Sequence, residues 1–569
     1  MWETLRINTA TKEIKRQPVE EKYRGLGGRS LIARFLNDEV KPTCDPLGSD
    51  NKLMLCTGVF AGTNLSTAHR LSLGAKSPLT GGIKESNAGG TLAYNIARHG
   101  LKYIVFEDLP SEEQDWSVLF IDKYGQAVLN DGSAYSGLNT YESFEAIRSK
   151  YGDKVAIAAI GNAGERQYRI AAVMVSDAHT GTPTRAAARG GLGAVMGSKK
   201  IKAIVIDRPE KAYKPEYANK EVFDKACHAF NKALASPECM TAMKQVGTNG
   251  NIDGTGSTGV LPIRNFSGDV SKKARDLSAS VFLQKLKSQG GSNNHACQPG
   301  CAIKCSNSYH DADGEYLTGG FEYETLALCG PNLDIYDYDV IARIDRACDN
   351  LGVDTMDTGC AIGVCMDEGK LEFGDVDGVF ALLKEMEDGT DFGRILGNGC
   401  EATGKFLGAK RIPTVKGQAL AGYDPRGLKG TGVTYATSPM GADHTAGLTF
   451  GLPIDGTSKQ MQIFMSQKMT GVFTLADSTM CAFALLGSTA NIPLLFAMYG
   501  SLYGIDPTNE NFMLKLTIDT LKLEKAFNRG AGFTPEDDRL PEFFYTERST
   551  FSGAVFDISD SDLQLALPY

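Results

Sequence analysis

The sequence predicts an α+β protein, with a β-rich N-terminal domain over residues 1–210 followed by two mainly α-helical domains over 211–415 and 416–569. Three observations carry this expectation. Short apolar runs rich in β-branched residues punctuate the first 210 residues, and helical spacing takes over from about Asn219. Glycine supplies 64 of 569 residues, about 11%, against a usual ~7%. Such an excess implies many tight turns and close backbone approaches, often to a large ligand. At roughly 150 residues per domain the chain holds about three or four domains, and it can bury a core without disulfide staples.

Taken in order, the runs at 102–107, 117–122, 155–161, 171–176 and 202–207 have the length and β-branched content of strands. Positions 221–235, 338–351, 355–368, 379–387 and 392–406 have helical spacing, and 509–528 forms a last helix. The boundary near 415 rests on the region of Pro413, Gly417 and Gly422. No internal repeat and no low-complexity segment is visible. The uncharged run 480–500 has 21 residues, enough to cross a bilayer. Gly487, Ser488, Thr489, Asn491 and Pro493 interrupt it, so it reads as two buried helical pieces with a break and not as a membrane span.

Charge narrows the function. Lys plus Arg is 59 and Asp plus Glu is 68, a net −9, which argues against a nucleic-acid partner. Met1 to Arg6 lack a basic stretch leading into an apolar one, so no secretory signal is expected and the chain is expected in the cytoplasm. Its 13 cysteines then point to reduced thiols and metal ligation.

Cys297, Cys301 and Cys305 form C-x3-C-x3-C in HACQPGCAIKC, where Pro299 and Gly300 interrupt any helix. Three thiolates so close can wrap one corner of a 4Fe-4S cluster, with the fourth iron held by a distant cysteine. A structural zinc site more often uses C-x2-C pairs. Spacing alone leaves Cys329, Cys348, Cys360, Cys365, Cys400 and Cys481 as candidates for the fourth ligand. Asp349-x-x-Gly352-Val353-Asp354 lies between two helical segments. Its carboxylates suit the N–H edge of a heterocycle, although spacing alone favours the plainer reading that Asp354 caps the helix from Thr355. Gly191, Gly193, Gly197 and Asp207 imitate a dinucleotide fingerprint. Only 14 residues separate Gly193 from Asp207, too few for that motif, and no nicotinamide binding is expected.

The chain resembles the aldehyde:ferredoxin oxidoreductase family, tungsten or molybdenum enzymes with a bis-pterin cofactor and one 4Fe-4S cluster. The resemblance runs through GLGGRSLIARFL (25–36), HRLSLGAKSPLTGGIKESNAGG (69–90), RGGLGAVMGSKKIKAI (189–204) and the cysteine loop. It continues through FEYET (321–325), DNLGVD (349–354), MGADHTAG (440–447) and FNRGAGFTPEDDRLPEFF (527–544). The cysteine spacing differs from the C-x2-C-x3-C of the archaeal aldehyde enzymes and looks like that of a bacterial branch.

The resemblance implies that the N-terminal domain is the base for a tungsten (or molybdenum) bis-pyranopterin. Asp349, Val353 and Asp354 then belong to one pterin-binding motif. The second family motif, Asp-x-x-Gly-Leu-Cys, is one residue shorter here, as Asp477-Ser478-Thr479-Met480-Cys481. It leaves Asp477 and Met480 for the pterin and Cys481 as the fourth cluster ligand beside Cys297, Cys301 and Cys305. Arg70 looks like the residue between cluster and pterin. Asn87 looks like the one whose backbone helps hold the magnesium that links the pterin phosphates, with Gly89 allowing close approach. Ala187 and Arg189 look like the equivalent segment for the other pterin. Glu324, with Glu322 as its rival, and His444 align with the family's active-site glutamate and histidine.

The implied activity is oxidation of a small-molecule aldehyde to a carboxylic acid, with electrons leaving through the cluster to ferredoxin or a ferredoxin-like iron–sulfur subunit. Two alternatives stand beside it. One is a low-potential reductase of the same architecture, acting on aromatic acyl thioesters or carboxylic acids; the other is a cluster-only electron-transfer subunit. None of the seven histidines has a Glu three residues earlier. A homodimer or larger complex is therefore expected to lack an interface iron.

Overall fold

Residues 3–206 build two six-stranded sheets that share one topology. The computed structural model describes residues 1–269, 272–452, 456–487, 489–505 and 511–566. The first sheet takes in β1 (Glu3–Asn8), β2 (Ile14–Pro18), β3 (Leu53–Thr57), β4 (Leu71–Lys76), β5 (Ile83–Ala88) and β6 (Leu101–Glu107), with helices α1 (Gly28–Glu39) and α2 (Leu92–Arg98) between strands. The second takes in β7 (Ser117–Ile121), β8 (Ala127–Asp131), β9 (Ala156–Ala159), β10 (Val173–Val175), β11 (Arg185–Ala187) and β12 (Ile201–Ile206), with α3 (Thr140–Tyr151), α4 (Asn162–Glu165) and α5 (Leu192–Ser198). The strand orders are β2-β1-β6-β3-β4-β5 and β8-β7-β12-β9-β10-β11, so adding six to each label turns one sheet into the other. In each, only the pair β1/β6 or β7/β12 is parallel.

This duplication corrects the expectation of no internal repeat. Tyr23-x-Gly25-Leu26 leads into α1, and Tyr135-x-Gly137-Leu138 leads into α3. Both tyrosines are buried. Later, Leu101-Lys102 opens β6 and Ile201-Lys202 opens β12. Both lysines are buried and donate to main-chain carbonyls, Lys102 to Gly58 at 3.2 Å and Lys202 to Leu138 at 2.7 Å. The two pairs of motifs stand at unequal offsets, which erases any fixed period.

Beyond the base the chain is mainly helical. The side chain of Asp337 accepts the N–H groups of Asp339 and Val340 and starts helix Tyr338–Leu351, which Gly352 ends at φ 78°. Asp354 accepts from Met356 and starts helix Thr355–Asp367 at once. That helix is buried nearly all round, as expected for the middle of a core. The expected helix 392–406 is two helices, Asp391–Gly397 and Cys400–Leu407. They part at Gly399, where the Asp357 carboxylate accepts the Cys400 N–H at 2.8 Å. The run 480–500 contains helix Ala482–Leu486 and the start of helix Ile492–Tyr503, while Ser488 lies outside the described residues. Among the described residues no helix is long and apolar enough to cross a membrane. The last long helix is Asn511–Gly530, and the first residues of the expected 509–528 fall outside the described set. A small sheet of β13 (Ser292–His295), β14 (Ser306–His310) and β15 (Tyr316–Gly319) holds the cysteine loop between its first two strands.

Two helical corners press onto the base, one on each half. The corner between helices Tyr338–Leu351 and Thr355–Asp367 sits on the second half: Ala172 N–H donates to Gly352 O at 2.8 Å and Asp354 N–H to Ile170 O at 3.0 Å. Thr140, at the start of α3, donates its hydroxyl to Asp349 O at 2.7 Å. The corner between helices Lys459–Thr479 and Ala482–Leu486 sits on the first half. There Val59 N–H donates to Ser478 O at 3.0 Å and Cys481 N–H to Thr67 O at 3.1 Å. The start of α1 is the counterpart of the start of α3, and a Cβ on Gly28 would lie 1.9 Å from Asp477 O. Beside it Arg29, 1% exposed, grips Glu524 of helix Asn511–Gly530 through two hydrogen bonds of 2.7 and 2.9 Å.

Removing one member of a buried pair leaves an uncompensated charge and costs about 3–5 kcal/mol. Glu524→Leu should therefore lower the unfolding midpoint strongly in urea or thermal melts. Adding Arg29→Met should recover most of the loss, because the bare guanidinium is then gone.

Candidate active site

A cavity of about 400 Å³ lies where the base meets the two corners, and its wall draws on residues from Arg70 to Leu486. Cysteines form one end of it. Cys297, Cys305 and Cys481 line the wall, and Cys301 acts on the Cys297 thiol from beside it. Of the six candidates left open by spacing, Cys329, Cys348, Cys360, Cys365 and Cys400 are buried in the helical core, and Cys481 alone faces the loop cysteines. A Cβ on Gly89 would lie 3.3 Å from both Arg70 Nη1 and Cys297 Sγ, so guanidinium and thiol meet across that glycine. Arg185 approaches from β11, held by Asp177 at 2.6 Å and lying 3.7 Å from Glu322. The Cys297 thiol is pulled down to about 6 by the neighbouring Cys301 thiol and, against burial, by Arg185 and Arg70. Four thiols from two segments, with cations alongside, are a donor set that fits a cubane cluster. None of the thirteen cysteines is in a disulfide.

The middle of the cavity carries carboxyls in excess. On β5, Asn87 accepts from Arg70 Nε at 2.5 Å and donates to Glu85 at 3.3 Å and Ser72 at 3.2 Å. From the corners come Asp345, Asp349 and Val353 on one side and Asp477 on the other, the last 3.6 Å from Arg29. Burial pushes the carboxyls of Glu85, Asp349 and Asp477 up, and that of Asp345 to about 7. Arg189 Nε and Asp354 Oδ2 lie 3.2 Å apart, yet both are buried without a properly directed hydrogen bond. Buried acids and an orphaned guanidinium N–H fit a ligand that brings its own N–H donors and anionic groups.

At the other end stand Glu324 and His444. Glu324 lies in the first turn of helix Tyr323–Cys329. Tyr323 donates its hydroxyl to Gly422 O at 2.6 Å, and the Gly422 N–H donates to Glu324 Oε2 at 2.6 Å. That strap leaves Glu324 Oε1 buried, without a hydrogen bond, 3.4 Å from His444 Nε2. Asp443 precedes the histidine, accepts the Thr445 N–H at 3.0 Å, and pairs at 3.1 Å with the fully buried Lys84. A carboxylate with one oxygen fixed and one free, beside an imidazole, is equipped to move a proton.

The expected residues do not all reach this cavity. Arg70, Asn87, Gly89, Arg189, Asp349, Val353, Asp477, Glu324, His444 and three of the four cysteines line it. Ala187 turns its side chain into the core of the base while Ala186 and Ala188 line the wall. Met480 is buried in a separate apolar cluster. Asp354 caps its helix with one oxygen, as the plainer reading held, and turns the other towards Arg189. Glu85, Arg185 and Asp345 were missed. Period 2 along β5 from Asn87 and i, i+4 spacing from Asp349 would have pointed to Glu85 and Asp345, whereas Arg185 shares the parity of the inward Ala187 and carried no such signal. The glycines of the dinucleotide lookalike serve packing: a Cβ on Gly197 would lie 2.0 Å from Gly164 O and one on Gly193 2.4 Å from Ala172 O.

Residues 4–208 match the family described as aldehyde ferredoxin oxidoreductase, N-terminal domain, and residues 225–568 match aldehyde ferredoxin oxidoreductase, domains 2 and 3. The chain is 30% identical to a tungsten-containing aldehyde ferredoxin oxidoreductase of Pyrococcus furiosus, over 95% of this chain and 91% of that one. It is 25% identical to the WOR-like subunit of an aliphatic sulfonate oxidoreductase of the same organism, over 79% and 74%. Its fold is similar to that of the active-site complex BamBC of benzoyl coenzyme A reductase, solved with 1,5-dienoyl-CoA. The TM-score is 0.78 at 18% identity, covering 99% of this chain and 94% of that one.

The raised carboxyls make stability depend on pH. Asp345 sits at about 7 against an ordinary 3.8, so between those values the folded chain keeps a proton that the unfolded chain has released. Stability of the cofactor-free protein should fall as pH rises through this window, by at most ~1.4 kcal/mol per pH unit for one proton, and level off above it. Asp345→Asn should flatten that part of the slope in melting midpoints taken across the window. An unchanged slope would remove Asp345 as its source.

Proposed function

We infer the function from one premise: the chain belongs to the aldehyde ferredoxin oxidoreductase family. It is an oxidoreductase, and we propose that it oxidises an aldehyde to the carboxylic acid with a tungsten (or molybdenum) bis-pyranopterin. A 4Fe-4S cluster, when bound, would supply the route by which two electrons pass to ferredoxin or an iron–sulfur partner subunit. The observation that most supports this reading is the free, buried Glu324 Oε1 facing His444 Nε2 in the same cavity as the cysteines. A cluster-only subunit has no use for that pair.

In this reading Cys297, Cys301, Cys305 and Cys481 would hold the cluster, and Arg70 would donate to it and to one pterin. Asp477 would bind one pterin edge, and Asp349, Val353 and Asp354, with Arg189, would serve the other. The strand ends at Asn87 and Ala187 would offer main-chain contacts to magnesium at the pterin phosphates. When bound, the metal–pterin group supplies the two-electron redox chemistry. The reaction adds a water oxygen to the carbonyl carbon and releases two electrons and two protons. Glu324 Oε1 takes a proton from the attacking water, while the Gly422 N–H holds Oε2 still so that the basic oxygen faces the cavity. His444 Nε2 hydrogen-bonds the aldehyde oxygen as charge develops there.

Anaerobically purified protein should contain tungsten or molybdenum besides iron and should reduce a viologen dye with at least one aldehyde of a panel. Glu324→Gln should retain both metals and lose at least ~100-fold in turnover. Retained activity would remove Glu324 from its role, and iron without either heavy metal would favour the electron-transfer subunit.

A further inference from the structure

A second cavity, of about 380 Å³, opens beside α3 and has no part in the chemistry above. Tyr141, Phe144 and Arg148 of α3, Pro183 from the turn between β10 and β11, and Arg346 of helix Tyr338–Leu351 line it. Two donors buried there have no partner, Arg148 Nε and the Tyr141 hydroxyl. Arg148 spends Nη2 on Gly181 O, and Arg346 spends Nη1 on Leu317 O at 2.9 Å. The Arg346 guanidinium lies 3.3 Å from the centre of the Tyr141 ring, so both cations border the same space. Glu145 and Asp153 also border it, but both are exposed. Burial lowers the pKa of Arg148 despite Asp153, which marks a cation short of counter-charge.

The first half of the base shows what belongs against such a face. Aligning Tyr23-x-Gly25-Leu26 with Tyr135-x-Gly137-Leu138 pairs Arg29 with Tyr141, Leu36 with Arg148 and Asn37 with Ser149. On α1 this face is covered by helix Asn511–Gly530. The Glu524 carboxylate answers Arg29 at 2.7 and 2.9 Å, and Leu523 O accepts from Asn37 at 2.9 Å. On α3 the facing helix Tyr338–Leu351 brings Asp345 and Asp349 near Tyr141, and Asp349 near Arg346, but among the described residues no carboxylate forms an ion pair with Arg148 or Arg346. We propose that this cavity binds a small carboxylate from solution, held between the Arg148 and Arg346 guanidiniums and receiving the Tyr141 hydroxyl. Phe144 and Pro183 provide an apolar wall for its hydrocarbon part, which fits an aryl or alkyl acid better than inorganic phosphate.

The test is calorimetric titration of the full-length purified protein with benzoate, and in parallel with phosphate, at ionic strength fixed with chloride. It reads the binding that Arg148→Gln removes, so benzoate held in the catalytic cavity does not enter the comparison. The wild type should bind benzoate saturably at this site. Arg148→Gln and Arg346→Gln should each weaken that binding at least about tenfold, ~1.4 kcal/mol. Tyr141→Phe, which removes only a hydroxyl, should weaken it severalfold and serves as the decisive variant if an arginine substitution unfolds the chain. Benzoate binding unchanged in these variants, or no saturable binding by the wild type, overturns the proposal. Phosphate bound in preference to benzoate overturns the assignment to carboxylates.

Discussion

Arg29 is a guanidinium with no access to water, and the protein tolerates it only because Glu524 answers with both oxygens while Asp477 stands close by. That arrangement ties α1 of the base to two helices from the far end of the chain. It brings the Asp477–Cys481 turn against Gly28 at the start of α1, where a single added methyl group would collide with Asp477 O. Arg70 then meets Cys297 and Cys481 from the base side. The cysteine end of the cavity thus depends on a buried ion pair that touches none of the cysteines. Geometry, more than net stabilisation, is the return on burying such a pair.

Local chemistry was legible in the sequence where its residues are neighbours. The cysteine loop, the FEYET glutamate and the GADHTAG histidine all reach one cavity. The helix cap at Asp354 could be read because a cap acts over three residues. Long-range partners were not legible. Glu524 lies 495 residues from Arg29, and Asp443 lies 359 from Lys84. Neither pair carries a local signal, because buried charge is matched in space. The candidate for a fourth cysteine is an intermediate case: spacing left six choices, the family motif selected Cys481, and of the six Cys481 alone lines the cavity.

The duplicated base escaped notice for a related reason. A fold needs the same pattern of inward and outward side chains, and it tolerates wide substitution elsewhere. Here the two halves keep a buried tyrosine, a turn glycine and a buried lysine at matching places and little else. The helix expected at 392–406 failed on a single residue: Gly399 sits inside a helical pattern, where only the backbone angle reveals a break.

The twofold likeness of the base does not extend to its charges. One half meets its corner with a cation, Arg29, and the other with an aromatic ring, Tyr141, stacked under Arg346. A ligand with two like arms spanning the halves would find unlike surroundings at its ends. Arg29 and Tyr141 act from behind the wall, through Asp477 and Asp349, so a guest symmetric in solution would become lopsided once seated.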